Sequence, residues 1–93
     1  MRWTVYIILC TDKSLYTGIT TDIERRVAQH KAHKGAKYFL GHKPKQVVYM
    51  ESGHTRSSAS QREAAIKKMK RPNKDRLIAC KVNEIYKLKP ALG

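Results

Sequence analysis

Ninety-three residues carry twenty Lys and Arg against seven Asp and Glu, a net charge of +13. One domain is the natural reading of that length, with enough buried surface for a modest core without staples, and two cysteines with no CxxC pair exclude a disulfide-built scaffold. The longest apolar run at the N-terminus, Val5 to Cys10, is too short to span a membrane and lacks a signal-peptide cleavage site; a soluble cytoplasmic protein, with no membrane partner and monomeric, is expected.

Residues 3–10, WTVYIILC, are β-branched, aromatic and apolar without polar alternation, and read as a strand covered on both faces. Thr11-Asp12-Lys13 reads as a turn and 14–19, SLYTGI, as a second strand. The length of this turn decides where two phenols go. Directly opposed residues of a hairpin share a face, and faces alternate along each strand. A two-residue loop would put Tyr6 and Tyr16 on opposite faces. A three-residue loop pairs Cys10 with Ser14 and Ile8 with Tyr16, so that Tyr6 and Tyr16 share one. Such loops usually end in a left-handed residue, here Lys13, although Gly would be easier there.

The first helix opens on a capping box, with Thr21 as N-cap and Glu24 three residues on. Stepping about 100° per residue from Ile23, Val27, His30 and Arg26 fall on the inward side and Arg25 on the opposite one. An inward Arg and His one turn apart are costly unless something satisfies them. Residues 33–45 form a long basic loop, 46–51 a third strand, and Ser52-Gly53-His54-Thr55 a turn. A helix over about 57–71 follows, with Ala59, Ile66 and Met69 on its apolar side, Glu63 on the flank and the stem of Arg62 snorkelling from the apolar arc. Arg71-Pro72-Asn73 breaks it, Asn73 then serving as an N-cap, and a short helix runs from about Lys74 to Lys81. Residues 1–82 are read as the domain and 83–93 as a basic tail.

The charge is unevenly spread. No acid lies between Glu24 and Glu51, and Arg56 to Arg76 holds eight basic residues against Glu63 and Asp75. A field of this kind attracts polyanions, nucleic acid above all. Lys31, Lys34, Lys37, Lys43, Lys45, Lys67, Lys70 and Lys74 are the expected nucleic-acid-binding residues. His30-x-x-His33 alone is a poor zinc signature, having no Cys pair or further His at ligand spacing.

Tyr6, Tyr16-Thr17-Gly18, Arg26, His30 and then Glu63 on a later helix, in the order β-β-α-β-α-α, resemble the GIY-YIG nuclease superfamily over roughly residues 3 to 80, in particular its small uncharacterised bacterial branch. Thr4, Val5 and Thr17 depart from the letters that name the motif; Tyr6, Tyr16 and Gly18 match. The resemblance implies an α+β fold with a central three-stranded antiparallel sheet flanked by helices. It also implies a divalent-metal-dependent DNA endonuclease, a structure-selective one in DNA repair or processing. On it, Tyr6, Tyr16, Arg26, His30 and Glu63 are the catalytic residues, and Glu63 is the ligand of a single Mg²⁺ or Mn²⁺. The chemistry suits these groups: Arg matches phosphate, and nearby cations are expected to lower a phenol's pKa towards a proton-relay role, the proton passing from Tyr6 towards His30. The alternatives are a non-catalytic basic module of the same fold, and a basic face that docks an acidic protein.

Overall fold

A computed structural model describes residues 2–32 and 36–88. β1 (Trp3–Cys10) and β2 (Leu15–Thr20) form a hairpin, followed by α1 (Ile23–Lys31), a 3-10 turn over Lys37–Leu40, β3 (Pro44–His54), α2 (Arg56–Lys68), α3 (Arg71–Ile78) and a second 3-10 turn over Ile85–Lys87. The antiparallel sheet has the order β2-β1-β3. The α+β architecture expected from the sequence is the one observed.

The hairpin has the three-residue loop. Ile8 opposes Tyr16 and Tyr6 opposes Gly18, the Cys10 N–H donates to the Ser14 carbonyl at 2.9 Å, and Lys13 takes the left-handed position with φ 69°. The loop is held from outside: the Thr11 N–H donates to the Lys43 carbonyl at 2.9 Å, and the Asp12 carboxylate meets His42 Nδ1 at 2.6 Å.

Strict alternation along β1 sorts its side chains into two cores. Tyr6, Ile8 and Cys10 pack with Val27, Phe39, Val47 and Met50 on the α1 side. Val5 and Ile7 pack with Tyr49, Ala59 and Ile66 on the α2 side. The central strand is therefore covered on both faces, the physical reason for its unbroken apolar run. Cys10 is buried, Cys80 exposed, and both are free. Among the described residues no helix is long and apolar enough to cross a membrane.

Element boundaries differ from expectation in three places. Asp22, not Thr21, caps α1: its carboxylate accepts from the Arg25 N–H at 3.1 Å, while the Thr20 hydroxyl accepts from the Asp22 N–H at 3.1 Å. With Ile23 as the first helical residue, Glu24 stands too early for a capping box. β3 runs on to His54 instead of turning at Ser52. Three register shifts along it absorb extra residues, and Gly53, at φ 83°, sits in the last of them; Ser-Gly signals a bulge here rather than a chain reversal. Finally, α2 ends at Lys68, and Arg71-Pro72-Asn73 begins α3 instead of ending its predecessor. Proline lacks the N–H that a helix's first turn leaves unpaired anyway. Asn73 accordingly lies inside α3, where its side chain accepts from Arg76 at 3.3 Å.

Residues 83–88, expected to belong to a tail, lie along β3. The Asn83 carbonyl oxygen accepts from the Met50 N–H at 3.1 Å and the Ile85 N–H at 3.0 Å, and its amide donates to the Val48 and Ile78 carbonyls at 2.8 Å each. The Glu84 N–H donates to the Met50 carbonyl at 2.9 Å. One side chain thus ties β3, α3 and the C-terminal segment together and occupies backbone groups on an edge strand that would otherwise invite pairing. Residues 89–93 lie outside the described residues. Replacing Asn83 with Ala leaves these backbone groups without their partner and should cost about 1–3 kcal/mol of stability. Urea unfolding followed by circular dichroism measures it; an unchanged midpoint would contradict the role given to Asn83.

Candidate active site at the edge of the sheet

Tyr6 and Tyr16 emerge on the α1 face with their ring centroids 6.3 Å apart. The space that lets them meet is Gly18. A Cβ built on Gly18 would lie 2.6 Å from the Tyr6 hydroxyl oxygen, 2.7 Å from its Cζ and 3.0 Å from a Tyr16 ring carbon. Gly18 stands opposite Tyr6 in the register, so the Tyr6 ring lies across it towards the β2 edge. The glycine is needed for close approach, not for a special backbone angle.

From α1, His30 is fully buried and its Nε2 lies 2.8 Å from the Tyr6 hydroxyl. The Ala36 N–H donates to His30 Nδ1 at 3.4 Å. A nitrogen that accepts cannot carry the proton, so the neutral imidazole holds it on Nε2 and donates it to the Tyr6 oxygen. Burial first, and the Arg26 charge second, push His30 down to about 4, which keeps it neutral at physiological pH. Arg26 is half-buried on the inward side, as the helical projection predicts, and Arg25 is exposed. Arg26 Nη1 donates to Gln29 Oε1 at 3.1 Å, and its positive charge pulls the Tyr6 pKa down.

Glu63 arrives from α2, which packs on the other face of the sheet. Its side chain is 24% exposed and pairs with Lys67 at 3.4 Å. Lys67 Nζ in turn stands 6.0 Å from the centroid of the Tyr16 ring. Because Tyr16 belongs to the α1 face and β2 is an edge strand, this contact carries α2 side chains round the β2 edge. The Glu63 charge is felt at the Tyr6 hydroxyl. Tyr6, Tyr16 and His30 are thus in direct contact, Arg26 stands one helical turn before His30 with its charge felt by both Tyr6 and His30, and Glu63 is linked to them through Lys67 and through its field.

One electrostatic expectation is reversed. Burial first, together with the Glu63 charge, pushes the Tyr6 phenol well above its ordinary value, and the opposing pull of Arg26 does not overcome this. His30, being neutral, contributes no cation. Tyr6 is a phenol at pH 7, and its oxygen accepts a hydrogen bond from His30 Nε2–H in the resting protein.

The expected nucleic-acid-binding lysines are spread over several elements. Lys67 is at the site. Lys31 closes α1, Lys37 lies in the 3-10 turn, Lys43 and Lys45 flank the start of β3, Lys70 caps α3 and Lys74 lies within it. All but Lys74 of these are exposed. Lys34 and His33 lie outside the described residues.

Two groups were not singled out by the sequence. Tyr38 and Phe39, read as part of a basic loop, form a 3-10 turn whose aromatic rings extend the site: Phe39 lies 4.8 Å from Tyr16 and 4.4 Å from His30, and Tyr38 lies 5.3 Å from Tyr16 and stacks on His42 at 4.0 Å. The adjacent aromatics in Lys37-Tyr38-Phe39-Leu40 were the available signal. On the opposite face, Glu51 gathers Tyr49, His54 at 2.6 Å and Arg62 Nε at 3.2 Å from both its oxygens. Arg62 therefore ends on a carboxylate rather than in solvent. Burial alone would raise the Glu51 pKa; hydrogen bonds from Tyr49 and His54 and the Arg62 charge outweigh it and leave it lowered.

Among the described residues no three His, Cys, Asp or Glu side chains come together, which excludes a closed zinc-type cage there. A single partly exposed carboxylate such as Glu63, once released from Lys67, does fit a hydrated hard cation, which takes one carboxylate and completes its shell with waters and substrate oxygens.

Phenols from adjoining strands, with an arginine and a histidine from the next helix, define a member of the GIY-YIG family, and the chain belongs to it: the GIY-YIG catalytic domain family matches residues 2–76. Within it the chain is similar to UPF0213 proteins. One from Natronomonas pharaonis is 49% identical over 75 residues, covering 81% of this chain and 88% of that protein. One from Haloquadratum walsbyi is 53% identical over 73 residues, covering 78% and 82%. The solution NMR structure of the UPF0213 protein BH0048 from Bacillus halodurans is 37% identical, with a TM-score of 0.58 over 92% of this chain and 90% of that one.

Gly18→Ala should displace the Tyr6 ring and cost about 1–3 kcal/mol, the range for overpacking a filled site. Thermal unfolding and loss of the Tyr6–His30 contact by NMR report it; a fully stable variant with that contact intact would contradict the geometry. A second outcome follows from His30. Its folded pKa is depressed, so the unfolded chain binds its proton first as pH falls. Stability conferred by neutral His30 is complete above the ordinary histidine range and declines between pH about 6.5 and about 4. Unfolding free energies across that window should lose part of their slope in His30→Gln.

Proposed function

We propose that the protein is a divalent-metal-dependent DNA endonuclease that hydrolyses phosphodiester bonds at the β2 edge. The observation that carries this reading is the convergence of Tyr6, Tyr16, Arg26 and His30 within the field of Glu63. A neutral binding surface would have no use for a buried His and half-buried Arg aimed at one phenol.

Glu63 would hold the cation, Mg²⁺ or Mn²⁺, with Lys67 giving up its pairing. Bound there, the ion would polarise the phosphate and stabilise the leaving oxygen. The protein's own groups do the rest. Arg26, braced by Gln29, offers its planar donors to the phosphoryl oxygens and meets the charge that develops on them. Tyr6 receives the His30 Nε2–H, and its own O–H is left to orient water or a phosphate oxygen. Tyr6 could take the attacking water's proton only after losing its own O–H proton to solvent, and the phenolate so formed, stabilised by the His30 Nε2–H and the Arg26 charge, would return to a phenol on accepting it. His30 acts through Tyr6 and is a positioning residue in this scheme. Tyr16, half-buried beside Lys67, orients the second substrate oxygen. The dispersed lysines supply phosphate contacts, which set affinity and salt dependence and little sequence readout. Structure-selective cutting in DNA repair or processing is consistent with such a surface.

Purified protein should nick supercoiled DNA only with Mg²⁺ or Mn²⁺. Glu63→Gln should abolish cutting, a loss of at least about a hundredfold by analogy with removal of one key electrostatic group, while binding measured by anisotropy stays within about twofold. Tyr6→Phe should impair cutting without weakening binding. Absent cutting with intact binding would instead favour a non-catalytic module of the same fold, and cutting that needs no metal would contradict the role given to Glu63.

A further inference from the structure

Beside Arg26 lies a cleft of about 270 Å³ between the ends of β1 and β2 and the first turns of α1. Trp3, Thr21, Asp22, Arg25, Arg26 and Gln29 line it. We propose that this cleft is a nucleotide subsite that receives one unpaired base of a DNA strand, next to the phosphate held by Arg26. The inference rests on the nuclease reading for the position of that phosphate.

Three observations support it. The volume falls just below the range for drug-sized ligands, about 300–1,000 Å³, and suits a single nucleotide. The lining combines what a base and its phosphate require: the Trp3 indole, with the Arg56 guanidinium over its ring at 5.7 Å, the Gln29 amide, whose oxygen is held by Arg26 and whose NH₂ can donate to a base edge, and the Arg25 and Arg26 guanidiniums for the backbone. Asp22, the one acid in the lining, has its carboxylate engaged by the Arg25 N–H at 3.1 Å as the cap of α1. Arg26 lines this cleft and stands one helical turn before His30 on the inward side of α1, so a nucleotide here adjoins the site. A base stacked inside a duplex offers only its edge, and entering a concave cleft requires its faces to be free. The cleft therefore selects single-stranded, flapped or flipped nucleotides over intact duplex.

Trp3 is the only tryptophan in the chain, which gives the cleft its own optical reporter. The test titrates the intact protein, without divalent metal, with a labelled short single-stranded oligonucleotide and with the blunt duplex of the same sequence. Trp3 emission and DNA anisotropy are read together. The single strand should quench Trp3, and the duplex should bind with Trp3 unchanged. Thr21→Phe, which fills the cleft from an exposed position, should abolish the quenching and weaken single-strand binding roughly fivefold or more, the scale of one lost stacked base. Arg25→Ala, on the exposed side of α1, should weaken it less; circular dichroism checks that both variants fold. Single-strand binding that leaves Trp3 emission unchanged, equal quenching by duplex, or an unaffected Thr21→Phe would overturn the subsite. Because no cutting is involved, an inactive protein that still quenches would count against the nuclease reading alone, an active one that does not quench would count against the cleft alone, and a protein that binds neither DNA would sink both.

Discussion

Everything at the site depends on one contact: the Tyr6 phenol laid across Gly18 to meet His30 Nε2 at 2.8 Å. Three separate features must agree for it to form. The hairpin loop must have an odd number of residues, so that Tyr6 and Tyr16 share a face. The residue opposite Tyr6 must have no side chain. The helix after β2 must begin at the residue that turns His30 and Arg26 inward and Arg25 outward. Lys13 accepts a left-handed backbone angle to satisfy the first of these, a place where glycine would be less strained. That a non-glycine residue is held there, with Asp12 and Thr11 tied to the 42–43 segment, indicates that the loop's length matters more than its local comfort.

The site is also where the molecule departs from ordinary packing. A buried imidazole, a half-buried guanidinium and a buried phenol would be costly in an apolar core without partners, and here each partners another. The His30 hydrogen bond supplies the Tyr6 oxygen with a donor, and the Arg26 charge adds to it. Burial keeps Tyr6 and His30 neutral in the resting protein; donors already in place around an oxygen that can become negative are the arrangement that electrostatic preorganisation requires. On the far face, the Glu51 cluster with Tyr49, His54 and Arg62 satisfies its members within itself, and Asn83 holds the β3 edge closed. Those groups stabilise; the chemistry proposed for this protein belongs to the α1 face.

Much of this was legible in the sequence because it is local. The apolar run of β1, the loop length implied by its two tyrosines, and the inward pair Arg26 and His30 follow from periodicities of two and of 3.6 residues. Glu63 was legible only through family resemblance, since nothing local separates it from an ordinary partner of Lys67, which it also is. The misreadings have physical causes. Two adjacent capping residues, Thr21 and Asp22, competed, and the carboxylate won. Gly53 and Pro72 were read as breakers, whereas a bulge and a helix's first turn use the same residues. Tyr38, Phe39 and Asn83 draw their importance from contacts made far along the chain, which no window on the sequence contains. The fall in the Tyr6 pKa expected from nearby cations ignored burial, which acts more strongly on a hydroxyl enclosed on this face.

The central claim is that these five side chains surround one place able to hold a cation against a phosphate. The most direct measurement is NMR line broadening during a titration with Mn²⁺. The account predicts that Glu63, Tyr6, Tyr16 and Arg26 broaden first and together, and that Glu63→Gln removes the effect. Broadening centred on other carboxylates such as Asp75 or Glu84, with Tyr6 and Arg26 untouched, would contradict it.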